Sequence, residues 1–402
     1  MIKIGTDFSG IGAPEQALKQ LGISHVVEFA CDYDKWAKKS YLCNYSPKKF
    51  YDDITTRNQK ETPYVDLYVA GFPCQAFSVA GKRQGFEDTR GTLFFDLLQY
   101  IKEQQPKYFL LENVKGLISH DKGNTYKIIM ECLRELKYSI YAKVLNTKHY
   151  GIPQNRERIF IVGFRDEHRF QWPQHVALNL KIKHLLEPEV EDKYYLKDEQ
   201  VQKLKEYNER NKKNGNGFRA KFHDTENDLM SSLKVGGARA DDLIKEEVKG
   251  CALRTWPRKS RADRGEGRQK RLEFRSDDVV NSITTHSLDS MVGKVEWIAD
   301  VRTDEGLRIR EGGLSPCLTA SKNSATEISR SAPLVKKEKQ NIRRLTPLEC
   351  LRLQGFEDSF FKTCKDNNIS DTQLYKQAGN SMSVNVIKGI ITQILKNEKG
   401  NF

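Results

Sequence analysis

Ile2-Lys3-Ile4-Gly5-Thr6-Asp7-Phe8-Ser9-Gly10-Ile11-Gly12-Ala13-Pro14 reads as a strand, a glycine turn and the start of a helix near Glu15. That order is the first unit of a nucleotide-binding α/β fold, because glycines let the backbone approach a ligand that a Cβ would block. The next apolar run, His25 to Ala30, reads as a second strand ending at Cys31-Asp32-Tyr33-Asp34. Asp32 lies twenty positions after Gly12, the spacing at which such folds set a carboxylate on ribose hydroxyls. Glu15 stands where a dinucleotide fingerprint has its third glycine. No pyrophosphate cradle is therefore implied, which favours a mononucleoside cofactor such as S-adenosylmethionine over a nicotinamide dinucleotide.

Farther along the chain, Asp66-Leu67-Tyr68-Val69-Ala70 reads as a buried strand by length and composition, and Gly71-Phe72-Pro73 ends it. Cys74 should then sit on a loop at the strand's C-terminal edge, where open α/β sheets bind ligands. A cysteine so placed can act as a nucleophile once a neighbour lowers its pKa. The stretch from Val79 to Gly91 is too polar for a core and long enough to form a lid. A helix from Thr92 to about Glu103 and a strand from Tyr108 to Leu111 restore the alternation, and that strand delivers Glu112 to the same edge. Tyr138 to Asn146 reads as another strand, followed by Gln154-Asn155-Arg156-Glu157-Arg158 entering the apolar run Ile159 to Val162. On a strand Arg156 and Arg158 point to one face, where a cationic pair could hold a carbonyl oxygen and lower the pKa of Cys74.

Near the end, Leu345, Leu348, Leu351 and Leu353 give a helical stripe with Thr346 as N-cap and Pro347 at the first position. Gln377-Ala378-Gly379-Asn380-Ser381 leads into a last helix with Val384, Ile387, Ile391 and Leu395 on one face.

Taken in order, the blocks around Cys74, Glu112, Arg156–Arg158, Arg343–Glu349 and Gln377–Ser381 resemble the cytosine-5 DNA methyltransferase family, especially its compact bacterial, restriction-modification type. The resemblance covers roughly residues 1–165 and 340–395. It implies an α/β fold: a doubly wound, mostly parallel sheet of the S-adenosylmethionine-dependent methyltransferase type, with an inserted smaller, irregular or β-rich target-recognition domain. The corresponding organisation is a catalytic and cofactor-binding domain at 1–165, a recognition region at 166–341 and a segment at 342–402 that returns to the first domain. The last helix would pack beside the first.

The resemblance also assigns roles. Cys74, Glu112, Arg156 and Arg158 would be catalytic, with Arg158 nearer the target base. Phe8, Gly10, Gly12, Asp32, Tyr33, Asp53, Ile54, Pro73, Leu93, Asn380 and Ser381 would border S-adenosylmethionine. The reaction explains the need for both a thiol and a carboxyl. Carbon 5 of cytosine is too weak a nucleophile to take a methyl group until a thiolate adds to carbon 6. A protonated carboxyl near ring nitrogen 3 stabilises the charge that develops.

Lys and Arg exceed Asp and Glu by 67 to 54, a net charge of +13, which suits a polyanionic partner. No stretch approaches the length of a membrane-spanning helix, and the N-terminus shows no signal-peptide pattern. The eight cysteines contain no Cys-x-x-Cys pair, so no metal site is expected and a reducing cytoplasm suits them. Between Arg254 and Arg275, nine Lys or Arg face three Asp or Glu, with Trp256 and Phe274 in the run. Such a run suits phosphate contacts, and its arginines can also read base edges. Gln75, Ser78, Arg90, Arg258, Arg261, Arg268, Thr284 and Thr319 are the expected DNA contacts. The family's Thr-Leu pair has two partial matches, Ser282-Ile283-Thr284-Thr285 and Pro316-Cys317-Leu318-Thr319, and both stay open.

The expected reaction is methyl transfer to carbon 5 of cytosine in a specific duplex DNA sequence, by base flipping and attack of Cys74 on carbon 6. Cytosine-5 methylation of RNA, or an inactive DNA-binding protein on the same scaffold, are the alternatives. The chain is expected to act as a monomer, without forming a stable complex with any cognate restriction endonuclease.

Overall fold

The computed structural model describes residues 1–73, 93–213, 221–224, 227–232, 242–245, 250–255, 270–274, 291–292, 298–302, 306–310, 334–335 and 342–396. In chain order the first elements are β1 (Ile2–Asp7), α1 (Ala13–Gln20), β2 (His25–Cys31), α2 (Lys35–Leu42), β3 (Lys49–Tyr51), β4 (Leu67–Gly71), α3 (Leu93–Gln104) and β5 (Tyr108–Val114). They continue with α4 (Asn124–Glu135), β6 (Ser139–Asn146), β7 (Gln154–Asn155), β8 (Glu157–Phe164) and α5 (Asp198–Lys213). After the middle region come α6 (Pro347–Arg352), α7 (Asp358–Asp366), α8 (Asp371–Asn380) and α9 (Val384–Ile394).

Seven strands form one sheet in the order β3-β2-β1-β4-β5-β8-β6. The first five are parallel, whereas β8 runs antiparallel to both β5 and β6. The chain leaves β1 toward β3 on one side and then returns to lay β4 on β1's other side. That reversal makes the C-terminal ends of β1 and β4 the topological switch point, where the connections diverge and leave a crevice. β4 and β5 have near-continuous apolar sequences because both of their faces are covered, with Leu67, Tyr68, Val69, Phe109, Leu110 and Leu111 fully buried. On one face Phe94, Leu97, Leu98 and Ile101 of α3 and Ile129 and Leu133 of α4 share a core with these strands. α1 packs beside α9, whose Val384, Ile387, Ile390, Ile391 and Ile394 are buried.

The end of β1 is tied to its neighbours by an ion pair without access to water. Arg57 donates through both terminal nitrogens to the two Asp7 oxygens at 2.7 Å, and the Tyr68 hydroxyl also donates to Asp7. Its guanidinium stands 4.9 Å from the Phe29 ring centre and 5.1 Å from that of Tyr51. Arg57 Nε holds the Gln59 amide oxygen, and Gln59 in turn donates to the Ile54 carbonyl. A bidentate fork inside a ring of aromatics meets the condition under which a buried charge is tolerated.

α6 starts where the sequence places it. The Thr346 hydroxyl accepts from Glu349 N at 3.2 Å, and the Glu349 carboxylate accepts from Thr346 N at 2.7 Å, a reciprocal capping box with Pro347 at the first position.

By its internal contacts the chain divides into two compact units. One comprises Met1–Val190, His223–Asp242 and Leu345–Phe402, and holds the large sheet. The other comprises Glu191–Phe222 and Leu243–Arg344. Its described parts include α5 and short antiparallel strands: Gly250–Thr255 between Lys270–Phe274 and Met291–Val292, Ile298–Arg302 between Gly306–Arg310 and Leu334–Val335, and Leu243–Lys245 against Ile342–Arg344. No helix among the described residues is long and apolar enough to cross a membrane.

Candidate active site

A cleft of about 810 Å³ opens at the switch point of the first unit, a size ordinary for a small-molecule site. Its first wall is the turn after β1. Phe8 (φ 52), Gly10 (φ 54) and Gly12 (φ 79) all adopt the left-handed conformation, which folds the chain back sharply into α1. The Ser9 hydroxyl accepts from Cys31 N at 2.9 Å and pins that turn to the end of β2. Phe8, Gly10 and Ile11 line the cleft, and Gly12 does not. A Cβ on Gly12 would lie 2.3 Å from the Tyr45 ring, so glycine is required there by backbone conformation and packing.

The second wall follows β2. Asp32 accepts from Gly10 N at 2.7 Å with one carboxylate oxygen and from Asp34 N at 2.9 Å with the other. Burial pushes its pKa up, and the two main-chain donors pull against that. Each oxygen retains a lone pair for a hydroxyl in the cleft. Tyr33 beside it is 82% exposed, an open ring at the cleft's rim. Asp34 caps α2 by accepting from Trp36 N and Ala37 N, and its other oxygen accepts from Lys376 Nζ at 2.6 Å. Burial alone would raise the Asp34 pKa, but the Lys376 and backbone hydrogen bonds outweigh it and hold the carboxylate below its usual value. The reading of motifs did not single out Lys376, Asp34 or Asn113, and all three line the cleft.

The third wall is the chemistry edge. Parallel register sets Gly71 opposite Glu112, and antiparallel register sets Val114 opposite Arg158. A Cβ on Gly71 would lie 2.9 Å from Met382 Cε and in ordinary contact, 3.6 Å, with Glu112 Oε2. Arg158 Nε meets Glu112 Oε1 at 3.1 Å. Burial raises the Glu112 pKa, partly offset by the charges of Arg158 and Arg156. Asn113 donates to the Phe72 carbonyl at 2.9 Å and thereby ties the turn before Cys74 to β5.

Both arginines reach the cleft, but their jobs differ. Arg156 is 2% exposed and donates to the main-chain oxygens of Gly379 at 3.3 Å and Ser381 at 2.7 Å. It therefore holds the Gly379-Asn380-Ser381 turn against the chemistry edge. A break in the strand between Asn155 and Glu157 separates its course from that of Arg158. Arg156 also donates to the Ser232 hydroxyl at 3.2 Å. Met230 and Ser231 pair in parallel with Gln154 and Asn155, which brings this part of the middle region to the cleft.

Among the other expected cofactor residues, Pro73, Leu93 and Asn380 line the cleft. Asp53 is exposed and accepts from Thr55 N and Oγ1 at 2.8 Å. Ile54 is buried, and Ser381 is buried with its hydroxyl donating to the Met382 carbonyl; neither side chain is part of the cleft wall. Cys74, Gln75, Ser78, Arg90, Arg258, Arg261, Arg268, Thr284 and Thr319 lie outside the described residues.

The donor set fits a nucleoside cofactor. Apolar Phe8, Ile11 and Leu93, the open Tyr33 ring and the twice-anchored Asp32 carboxylate supply surfaces for an aromatic base and a ribose. The turn does not suit a diphosphate, because the buried Glu15 carboxyl occupies the first turn of α1.

The family description "C-5 cytosine-specific DNA methylase" matches residues 3–396. The orphan methyltransferase M.SPRI of Bacillus phage SPR is 32% identical, over 98% of this chain and 97% of its own length. The type II methyltransferase M.HpaII of Haemophilus parainfluenzae is 34% identical, over 97% of this chain and 88% of its own. A crystal structure of a DNMT2 from Spodoptera frugiperda superposes with a TM-score of 0.60 at 17% identity, covering 98% of this chain and 100% of that one, and establishes likeness of fold.

Proposed function

Because the chain belongs to the C-5 cytosine-specific DNA methylase family, we propose that this cleft transfers a methyl group from S-adenosylmethionine to carbon 5 of a cytosine flipped out of a specific duplex DNA sequence. The observation that carries the reading is the Glu112–Arg158 pair at the switch-point edge, with Glu112 opposite Gly71, which stands three residues before Cys74 in the chain. When bound, S-adenosylmethionine supplies a methyl group activated by a positively charged sulfur. Asp32 would hold the ribose hydroxyls, Tyr33, Phe8 and Leu93 the adenine side, and Asn380 the opposite wall.

The remaining steps belong to this chain's residues. Arg158 holds the carbonyl oxygen of the flipped base, and protonated Glu112 donates to ring nitrogen 3. The Cys74 thiolate forms a bond to carbon 6, the ring's electron pair moves to carbon 5, and carbon 5 takes the methyl group. Loss of the carbon 5 proton to a base then expels the thiolate and restores the ring. Arg156 is the brace that keeps the cofactor and base sides of the cleft together. The basic middle region would engage the flanking DNA and offset the few kcal/mol that flipping costs. The chain would act as a monomer in the cytoplasm, with any cognate endonuclease acting separately on the same sequence.

Transfer of tritium from labelled S-adenosylmethionine to duplex DNA and to structured RNA, wild type beside Cys74→Ser, tests this reading. Labelling of DNA that disappears in the variant is the expected result, and mapping the modified cytosines then supplies the recognition sequence. Labelling of RNA alone would overturn the substrate. Binding of DNA and cofactor by folded wild type without transfer would overturn the reaction.

A further inference from the structure

The middle region reaches the chemistry edge through a segment that carries neither of the two Thr-containing matches. Met230 N donates to the Pro153 carbonyl at 2.9 Å, and the Met230 side chain is fully buried, so the segment is anchored beside β7. Two residues on, Ser232 lines the same cleft as Glu112 and Arg158. Its hydroxyl oxygen accepts from Arg156 Nη1 at 3.2 Å, which leaves its single proton free to be donated. A hydroxyl that accepts from a guanidinium is polarised toward donation, and an anion is its best-matched acceptor. Arg156 also donates to the Gly379 oxygen through the same Nη1 and to the Ser381 oxygen through Nη2, and these main-chain contacts fix where the Ser232 hydroxyl sits.

We propose that Ser232 is a substrate-positioning residue whose hydroxyl donates to a backbone phosphate of the strand that carries the target cytosine. The inference rests on the reading of the cleft as a DNA cytosine-5 methyltransferase site. It adds a contact that motif spacing does not reveal, because Ser232 is seventy-six positions from its partner Arg156. Ser232 directly follows a two-residue strand, Met230–Ser231, that pairs with Gln154 and Asn155 just ahead of the two arginines.

The test uses the full-length protein and a duplex containing the mapped cytosine. Ser232→Ala should raise KM for DNA about tenfold, the effect of deleting one hydrogen bond to a charged group, while KM for S-adenosylmethionine and the melting temperature stay unchanged. Ser232→Thr should restore the wild-type value. Duplexes carrying a neutral methylphosphonate at single phosphates around the target should reveal one position at which wild type loses about as much as the alanine variant, and at which that variant loses nothing further. An unchanged KM for DNA in Ser232→Ala overturns the proposal, and so do losses that add at every phosphate position. An equal rise in both KM values would make Ser232 a support for Arg156 alone and would also overturn it. Absence of methyl transfer to DNA by the wild type would instead overturn the underlying reading of the site.

Discussion

Glu15 occupies the place of a third fingerprint glycine, and the fold has turned that position inward. The carboxyl is 1% exposed, with Tyr41 donating to Oε1 at 2.6 Å and Thr6 donating to it at 3.1 Å. Oε2 has no partner. Burial raises the pKa above 4.5, against those hydrogen bonds. Below the unfolded-state value both states hold the proton and stability is at its full level. As pH rises toward the folded-state value, only the unfolded chain releases its proton, so stability falls. Glu15→Gln removes that dependence; its melting temperature should gain on wild type as pH rises above the unfolded carboxyl's value in thermal melts. Constant spacing between the two curves would show that the carboxyl is not protonated in the fold. Glu112 is raised in the same direction, and in the proposed reaction it is the proton donor. Methyl transfer should decline as pH climbs through its raised value, because the donor at ring nitrogen 3 is then lost. Glu112→Gln should lower kcat about 100-fold or more and remove that alkaline limb from the rate profile.

At the scale of elements, a few long-range clamps hold the strand ends that build the cleft. Asp7 closes β1, Tyr68 lies in β4, and Arg57 belongs to the loop after β3, so one buried cluster ties two neighbouring strands to that loop. Arg57→Ala leaves the Asp7 charge buried without its counter-ion and should cost about 3–5 kcal/mol in urea unfolding. Tyr68→Phe removes one neutral donor from the same cluster and should cost about 1 kcal/mol. Equal losses would mean that the pair, rather than the unpaired charge, sets the energetics. α8 works similarly at the rim, where Lys376 holds the cap of α2 and Arg156 holds the Gly379–Ser381 turn. The start of α6 was legible because Thr346 and Pro347 mark it within two residues, and the structure adds Glu349 as the reciprocal cap. Arg57 with Asp7 was not legible, since fifty residues separate them and no local periodicity records the pairing.

At the scale of the whole molecule, a net charge of +13 predicts that DNA binding is dominated by release of counterions from phosphates. If about six phosphates are neutralised, affinity for duplex DNA should fall about a thousandfold between roughly 50 and 200 mM salt. Affinity for S-adenosylmethionine, measured by titration calorimetry over the same range, should stay nearly constant. A shallow slope for DNA would show that the charge is spread away from the binding face. The chain's sequence alone determined the alternation of strands and helices, the delivery of Glu112 to the same sheet edge as the Gly71–Pro73 turn, the start of α6 and the family. Each of those rests on local apolar spacing, turn chemistry or an ordered set of motifs. Only the tertiary structure decided that Gly12 serves packing while Gly10 meets Asp32, that Arg158 rather than Arg156 pairs with Glu112, and that Ser232 reaches the cleft. These depend on which distant segments share a buried edge, and close packing selects those partners after the chain has folded back on itself.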